Sequence, residues 1–288
     1  MIFVLIILII ILLLIIYYFE FMRYISLNLN NHVNLSDLDI EYNYLPRVDT
    51  KERTIVSLTT IPDRINNLIP TLASIYTQTK RVDEIRLNIP YISRKGEKYI
   101  IPKYLKKLNY LKIYRTKDYG PSTKLLPSLI NEKADTKIIV IDDDQIYGSK
   151  LIEELVKAFK SKNTAVTNYG TKFHYTSYDR IISYISGEEY VDVLFGCGGY
   201  ILTPKMIPRD IFNYEAGPSG AVFVDDNWIS GWLSRNGHKI FKLGMKQGCS
   251  FFLNISNVNT ESLSGGENKN KVHEHEVNDW FKNNIFNL

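Results

Sequence analysis

The chain has 288 residues, a formal net charge of +4, and a hydrophobic content of 45%. This length accommodates a hydrophobic segment and one α/β domain with a substantial core. It excludes the class of small proteins that need disulfides or metals to fold. The near balance of basic and acidic residues gives no reason to expect nucleic acid as a partner, and Cys197 and Cys249 provide neither metal-ligand spacing nor a disulfide framework.

An uninterrupted apolar stretch runs from Ile2 to Phe19. As a helix of some eighteen residues it would be roughly 27 Å long, close to the thickness of the bilayer hydrocarbon. A cleaved signal peptide is the alternative, but the stretch has no basic n-region and no small-residue cleavage site follows it. We therefore expect a single-pass membrane anchor at residues 1–19, a polar, Asn-rich stalk at 20–52 and a globular domain at 53–288. Arg23 is the nearest basic residue, and it leaves the side of the membrane undetermined.

Strand and helix patterns alternate through the first half of the globular domain. Short apolar runs predict strands at 54–58, 84–89, 111–114 and 138–141, and apolar residues at helical spacing predict helices at 65–76, 125–129 and 150–160. This order is typical of a doubly wound, mostly parallel sheet flanked by helices.

The second half is less regular. It contains a predicted strand at 191–195, a small-residue loop at 196–199, a helix that opens at Asp225-Asp226, and a strand at 239–243. Residues 257–279 are polar and rich in Gly and Asn, which favours a mobile loop that carries His273 and His275.

Three consecutive carboxylates, Asp142, Asp143 and Asp144, follow the apolar run Ile138–Ile141. The run predicts a strand buried on both faces, whereas the carboxylates would repel one another unless a cation lies against them. Ligands of open α/β sheets bind at the carboxyl ends of the strands. A divalent metal that accompanies a phosphate-bearing substrate explains the triplet, and capping of the next helix, which needs only Asp144, is the alternative.

These features together resemble the glycosyltransferases of the GT-A fold. The strand followed by Asp142-Asp143-Asp144 is similar to their D-x-D motif, and residues 57–64 resemble the first strand and nucleotide loop of family-2-like members. Residues 119–124 and Asp225-Asp226 follow in the order that this fold implies. The resemblance covers roughly residues 53 to 260.

The resemblance implies a donor site for a nucleotide sugar, with UDP- or GDP-sugars as candidates. Mn²⁺ or Mg²⁺ would be held directly by Asp144, with Asp142 at the metal or at the ribose and Asp143 in a supporting position. His273 and His275 would be further metal ligands on a C-terminal loop. The other implied donor-binding residues are Thr59, Pro62, Arg64, Lys124, Gly198 and Gly199.

The resemblance also implies a catalytic base for an acceptor hydroxyl on a glycan, protein or lipid. Asp226 is the first candidate and Asp225 the second, which would make the enzyme inverting. Capping of the helix by Asp225 is the alternative for that residue.

Other functions place acids after a strand as well. A nucleotidyltransferase acting on sugar phosphates would share the metal and the nucleotide, but it usually carries a Gly-rich basic loop that residues 58–64 lack. A phosphatase of the haloacid-dehalogenase type expects a different residue pattern after the acids. A non-catalytic, membrane-tethered carbohydrate-binding domain would not need to keep them.

Overall fold

The structure is a computed structural model, and it describes residues 2–29, 33–172, 187–244, 251–253, 255 and 272–285. The helices are α1 (Ile2–Leu29), α2 (Leu35–Tyr42), α3 (Ile69–Tyr76), α4 (Leu126–Asn131), α5 (Leu151–Lys162), α6 (Asp225–Arg235) and α7 (Val272–Ile285). Cys249 lies outside the described residues, and Cys197 is a free thiol.

The strands of the central sheet are β1 (Thr54–Thr59), β2 (Glu84–Pro90), β3 (Leu111–Thr116), β4 (Lys137–Val140), β6 (Ala165–Thr167), β8 (Glu189–Val191), β10 (Tyr200–Leu202) and β11 (Ile240–Lys242). Two short two-stranded sheets pair β5 (Gln145–Tyr147) with β12 (Phe251–Leu253) and β7 (Gly170–Thr171) with β9 (Val193–Leu194).

The eight-stranded sheet has the order β3-β2-β1-β4-β10-β6-β11-β8. Its first four strands are parallel to one another, and β10 and β8 are antiparallel to their neighbours. The α/β class and the mostly parallel sheet expected from the sequence are therefore confirmed.

The strand order reverses between β1 and β4. From β1 the chain adds β2 and then β3 on one side, and it returns to place β4 on the other side of β1. Ligands of open α/β sheets bind beyond the carboxyl ends of strands at such a reversal. The residues that follow β1 and β4 thus lie where this topology builds a site.

Strand β4 is buried on both faces, as its apolar sequence predicts. Ile138, Ile139, Val140 and Ile141 have no exposed surface. β-branched side chains suit a strand that is covered by helices on both sides. The acidic triplet therefore begins where a rigid, buried strand ends.

The N-terminal helix is longer than the apolar stretch and joins the domain through its second half. The guanidinium of Arg23 donates to the carbonyl oxygens of Tyr147 and Ser74, at 2.8 and 3.1 Å, and to Oγ1 of Thr77 at 2.6 Å. In the first half, large apolar side chains such as Leu5 and Leu14 are more than half exposed. Within the described residues, no helix combines the length and apolarity needed to cross a membrane. The anchor at residues 1–19 stays a prediction.

The segment expected to form a stalk contains an ordered helix instead. Tyr42 in α2 is fully buried, and its hydroxyl accepts a hydrogen bond from the backbone N–H of Val82 at 3.0 Å. The carboxylate of Asp39 accepts from the backbone N–H groups of Asn109 and Tyr110. Polar residues of this segment thus bind backbone groups of the domain, which hydropathy alone does not reveal.

The C-terminal histidines lie on a helix and not on a loop. Of the loop expected at 257–279, the part up to residue 271 lies outside the described residues. Helix α7 begins at Val272 and includes both His273 and His275. Val277 and Phe281 lie one turn apart on α7 and are buried, so a narrow apolar stripe holds this otherwise polar helix against the domain. The polarity of the segment explains why it reads as a loop.

Candidate functional site

The three carboxylates of the triplet have different surroundings. The side chain of Asp143 is 4% exposed, whereas those of Asp142 and Asp144 are 27% and 25% exposed. Asp143 accepts a hydrogen bond of 2.6 Å from Oγ1 of Thr60, and its backbone carbonyl accepts one of 2.9 Å from Thr71. Asp143 thus points into the protein, and Asp142 and Asp144 are the two acids that face the solvent.

Arg64 holds one side of the triplet. Its Nη2 lies 3.1 Å from Oδ1 of Asp143 and its Nη1 lies 2.8 Å from Oδ2 of Asp144. The planar fork of donors suits two neighbouring carboxylates. Arg64, expected to bind the donor, is therefore bound to the acids and joins the end of β1 to the end of β4.

Lys124 holds the other side and links the triplet to the second pair of acids. Its buried ammonium lies 2.7 Å from Oδ1 of Asp142 and 2.9 Å from Oδ2 of Asp225. Burial alone would lower the pKa of Lys124, but the charges of Asp142 and Asp225 raise it well above the usual value. Lys124 is thus a permanent cation between two acidic segments that are far apart in sequence.

Asp226 lies beside the same group. Its Oδ1 accepts a hydrogen bond of 2.9 Å from the backbone N–H of Gly196. Burial and the adjacent Asp225 raise the pKa of Asp226 well above the usual value, although Lys124 opposes the shift. A carboxyl whose pKa is raised and whose oxygen accepts from a backbone donor is a candidate for proton exchange with a substrate.

Glycine at position 196 is what lets these groups meet. A Cβ on Gly196 would lie 2.4 Å from Nζ of Lys124, 3.1 Å from Oδ1 of Asp142 and 3.2 Å from Oδ1 of Asp226. The absence of a side chain therefore allows the backbone to approach three charged groups at once. The sequence predicts close backbone approach to a ligand at Gly196, Gly198 and Gly199, and Gly196 is the one that lies against the charged groups.

Gly198 and Gly199 have other roles in the described structure. A Cβ on Gly198 would lie 2.2 Å from the ring of Tyr169. Gly199 has a φ of +79°, a conformation that favours glycine and turns the chain into β10. Both glycines thus shape the loop that presents Gly196.

Among the described residues, the site has more negative than positive charge. Two cations face five carboxylates: Arg64 and Lys124 against Asp142–Asp144, Asp225 and Asp226. Burial raises the pKa of Asp143 to about 6, although Arg64 opposes this. Burial and the charge of Asp142 raise the pKa of Asp144. Both shifts come first from burial, and the charges of neighbouring carboxylates add to them.

A divalent cation fits this charge imbalance. Mg²⁺ and Mn²⁺ use carboxylate oxygens, and Mg²⁺ is usually bound by one or two carboxylates together with water and substrate phosphates. Asp142 and Asp144 supply two such groups at the solvent-facing side of the triplet. In the part of the chain that the structure describes, no group of three or more His, Cys, Asp or Glu side chains is arranged to hold a metal. Asp142 and Asp144 are the two acids that could hold such a cation at this position.

The two candidate histidines differ from each other. His275 is exposed, and His273 stacks on the ring of Phe223 with centroids 5.0 Å apart. Nδ1 of His273 lies 3.5 Å from a carboxylate oxygen of Glu276, in the same helix. The contacts that the structure describes for His273 are thus with α7 and the segment before α6, not with the acidic triplet.

The helix-capping alternative does not hold for Asp144. Asp144 is followed by β5, and α5 begins only at Leu151. Asp225 and Asp226 both lie in the first turn of α6, where carboxylates are favourable, and Asp225 also pairs with Lys124. A role at the start of the helix and a role in the charged site are thus compatible for Asp225.

Thr59 and Pro62 lie at the end of β1 and in the turn after it. Oγ1 of Thr59 donates to the carbonyl oxygen of Asn88 at 2.8 Å, and Pro62 is half-buried. Both lie at the same edge of the sheet as the triplet. Their surroundings are compatible with a wall of a ligand site.

Sequence reasoning missed three residues at this site, two of which position the acids. Thr60 binds Asp143, and the hydroxyl of Tyr147 accepts a hydrogen bond from the backbone N–H of Asp142 at 2.9 Å. The third, Cys197, lies in the glycine loop, and burial raises the pKa of its thiol. The position of Thr60 directly after β1 was the only available signal, since Tyr147 and Cys197 meet the site through the fold.

A scan against protein-family models and a search of curated proteins find no match to this chain.

Proposed function

We propose that this protein is a metal-dependent glycosyltransferase with a GT-A-like fold. One observation supports the proposal most. Two acidic segments, Asp142–Asp144 and Asp225-Asp226, converge on the buried ammonium of Lys124 at the point where the strand order reverses. Transfer from a nucleotide sugar needs one acidic group to hold a metal diphosphate and another to accept a proton, and these segments offer both.

Asp142 and Asp144 would hold the metal, and Asp143 would support them. When bound, Mn²⁺ or Mg²⁺ would neutralise charge that develops on the diphosphate leaving group. Arg64 fixes the orientation of Asp144 through its bond of 2.8 Å, and Thr60 and Arg64 keep Asp143 turned inward. This division of roles explains why the three acids differ in exposure.

Asp226 would accept the proton of the acceptor hydroxyl. Its raised pKa gives the carboxylate enough basicity for the task, and the N–H of Gly196 fixes one of its oxygens. Asp225 is occupied by Lys124, so it is the weaker candidate. A carboxylate base favours attack from the face opposite the leaving group, and therefore an inverting reaction.

The donor would be a UDP- or GDP-sugar, and the acceptor a hydroxyl of a glycan, protein or lipid. Thr59 and Pro62 would line the base pocket through backbone contacts. Arg64 and Lys124 would stabilise phosphate charge indirectly, because both are already paired with the acids. The loop at 196–199 would border the sugar.

The test is donor hydrolysis with a panel of nucleotide sugars, in Mn²⁺, in Mg²⁺ and in chelator. We expect hydrolysis of one donor that requires the metal. Asp144→Asn should abolish metal-dependent donor binding, whereas Asp226→Asn should retain binding and lose transfer. Asp135→Asn, an exposed acid before β4 at the opposite edge of the sheet, is the matched control. Absence of binding and turnover with every donor would overturn the proposal, and normal transfer by Asp226→Asn would overturn the base assignment.

Membrane attachment through residues 1–19 is a separate proposal. The exposed apolar side chains in the first half of α1 support it. After membranes are washed with carbonate, the full chain should stay in the membrane pellet. A chain lacking residues 2–19 should be released into the supernatant. Recovery of both in the supernatant would contradict the attachment.

A further inference from the structure

Arg94 lies beside the segment that carries the proposed base. Its guanidinium carbon is 4.6 Å from the ring centroid of Phe223, and the imidazole of His273 stacks on the same ring. Phe223 comes two residues before Asp225 and three before Asp226. Arg94 is an exposed residue, and within the described residues no carboxylate forms an ion pair with its guanidinium. Arg94 is therefore a cation near the base whose charge is available to a ligand.

Arg94 belongs to a basic surface, which we call the basic rim and define as residues 91–100 and 115–119. These segments follow β2 and β3, so they leave the sheet at the same edge as the acidic triplet. They contain five basic residues and two acidic ones. The basic rim thus brings positive charge to the border of a strongly acidic site.

The basic rim is held in place by backbone contacts. Nη2 of Arg115 donates to the carbonyl oxygens of Pro90 and Tyr91, at 2.8 and 2.9 Å. The hydroxyl of Tyr99 donates to the carbonyl oxygen of Thr60 at 3.1 Å, and Thr60 in turn binds Asp143. A hydrogen-bonded path therefore connects the rim directly to the triplet.

Aromatic rings accompany the cations of the rim. Tyr91 is 63% exposed and lies 5.6 Å from the guanidinium of Arg115, and the ring of Tyr119 lies 5.7 Å from Nζ of Lys117. A tyrosine ring offers a flat apolar face and a polar end, which suits the mixed surface of a sugar ring. Cations alone would suit any polyanion, whereas cations beside the exposed ring of Tyr91 and the partly buried ring of Tyr119 suit an anionic sugar chain.

We propose that the basic rim binds the acceptor, and that the acceptor is an acidic glycan. Arg94 binds a sulfate, phosphate or carboxylate group of the sugar chain and so brings a neighbouring hydroxyl towards Asp226. The inference rests on the proposed function, because it takes Asp226 as the base. The donor diphosphate is the less suitable ligand for Arg94, since the donor site lies at Asp142 and Asp144, whereas Arg94 contacts the segment before Asp226.

The test is equilibrium binding of dextran sulfate and of uncharged dextran to the full chain, without donor or metal. We expect binding of dextran sulfate that weakens as salt is added, and no binding of dextran. Arg94→Gln should weaken binding about three- to fivefold, as expected for one exposed charge contact, and Lys117→Gln should have a smaller effect in the same direction. Lys133→Gln, an exposed cation before β4 at the opposite edge, should leave binding unchanged. Thermal unfolding of each variant would show that the fold is retained.

Three results would overturn the inference. If Arg94→Gln binds dextran sulfate as well as the unmodified chain, Arg94 does not contact the ligand. If Lys133→Gln loses as much affinity as Arg94→Gln, the attraction is only diffuse. Equal binding of a single-stranded DNA oligonucleotide of matched charge would show that the rim does not select a glycan. None of these results depends on donor hydrolysis, so failure of the proposed function and failure of this inference are distinguishable.

Discussion

The ammonium of Lys124 lies 2.7 Å from the carboxylate of Asp142, in a contact that leaves the lysine side chain 6% exposed. A second carboxylate, that of Asp225, lies 2.9 Å from the same nitrogen. Lys124 follows the loop after β3, Asp142 follows β4, and Asp225 begins α6. One cation therefore joins three parts of the chain that meet only in the folded protein.

Removal of this cation should destabilise the fold. Lys124→Met leaves two carboxylates without their partner, which costs about 3 to 5 kcal/mol when a buried ion pair loses one member. Chemical denaturation measures the loss. Lys205→Met removes a lysine whose pair with Asp135 is more than half exposed on both sides, and should cost less than about 1 kcal/mol. Equal effects of the two substitutions would show that the Lys124 pairs contribute no more than a surface pair.

The fold and the position of the triplet could be predicted from local patterns. The run Ile138–Ile141 indicates a buried strand because β-branched side chains without polar interruption suit a parallel sheet. The acids that end it then lie at the edge where such sheets bind ligands. Both steps need only residues that are adjacent in the chain.

The pairing of charges could not be predicted in the same way. Arg64 donates a hydrogen bond to Asp144, which is 80 residues away in the sequence. Gly196 can lie against the ammonium of Lys124 only because glycine has no side chain. Such contacts depend on how loops fold over the sheet edge. The helix α2 was missed for a related reason, because Asp39 and Tyr42 make their stabilising contacts with distant backbone groups.

A side chain at position 196 should disrupt the site. The methyl group of Gly196→Ala would lie 2.4 Å from Nζ of Lys124, so the ammonium must move away from Asp142 or the loop must shift. Overpacking of this kind costs about 1 to 3 kcal/mol. Donor binding should weaken together with stability in thermal shift assays. Gly187→Ala, where a methyl group would meet no atom of the described residues within 4 Å, is the control, and an equal response of both variants would contradict the crowding at Gly196.

The charge of Asp226 should make stability depend on pH. Burial and Asp225 raise its pKa in the folded state, so the fold favours the protonated carboxyl. This contribution to stability is fully present below the unfolded pKa and is lost as the pH rises through the folded pKa. Asp226→Asn, which stays uncharged, should therefore gain stability relative to the unmodified chain as the pH increases. Thermal unfolding from pH 5 to pH 9 measures the difference, and a difference that is constant over this range would contradict the shift.

Arg23 should fix the second half of α1 to the domain. Arg23→Met removes donors to the carbonyl oxygens of Tyr147 and Ser74 and to Thr77. A buried acceptor left without its partner lowers the free energy of unfolding by about 1 to 3 kcal/mol. The variant should unfold at lower denaturant concentration, and α1 should be cleaved sooner by protease. Lys157→Met, an exposed lysine on α5, should change neither property.

Gly231 should control the attachment of the C-terminal helix. In an exposed helix, Gly→Ala usually stabilises by about 0.5 to 1 kcal/mol. A Cβ on Gly231 in α6 would instead lie 2.1 Å from the ring of Phe281 in α7, so Gly231→Ala should push the two helices apart.

Tryptophan fluorescence reports on this contact directly. All three tryptophans of the chain, Trp228, Trp232 and Trp280, lie within about 6 Å of Phe281 or of one another in the aromatic cluster between α6 and α7. We expect a red-shifted emission and lower stability in Gly231→Ala, because α7 no longer covers the rings. Phe281→Leu in the same chain removes the clashing ring edge and should restore part of the stability. An alanine variant that is more stable than the unmodified chain, with unchanged emission, would show that α6 and α7 are not packed through Gly231.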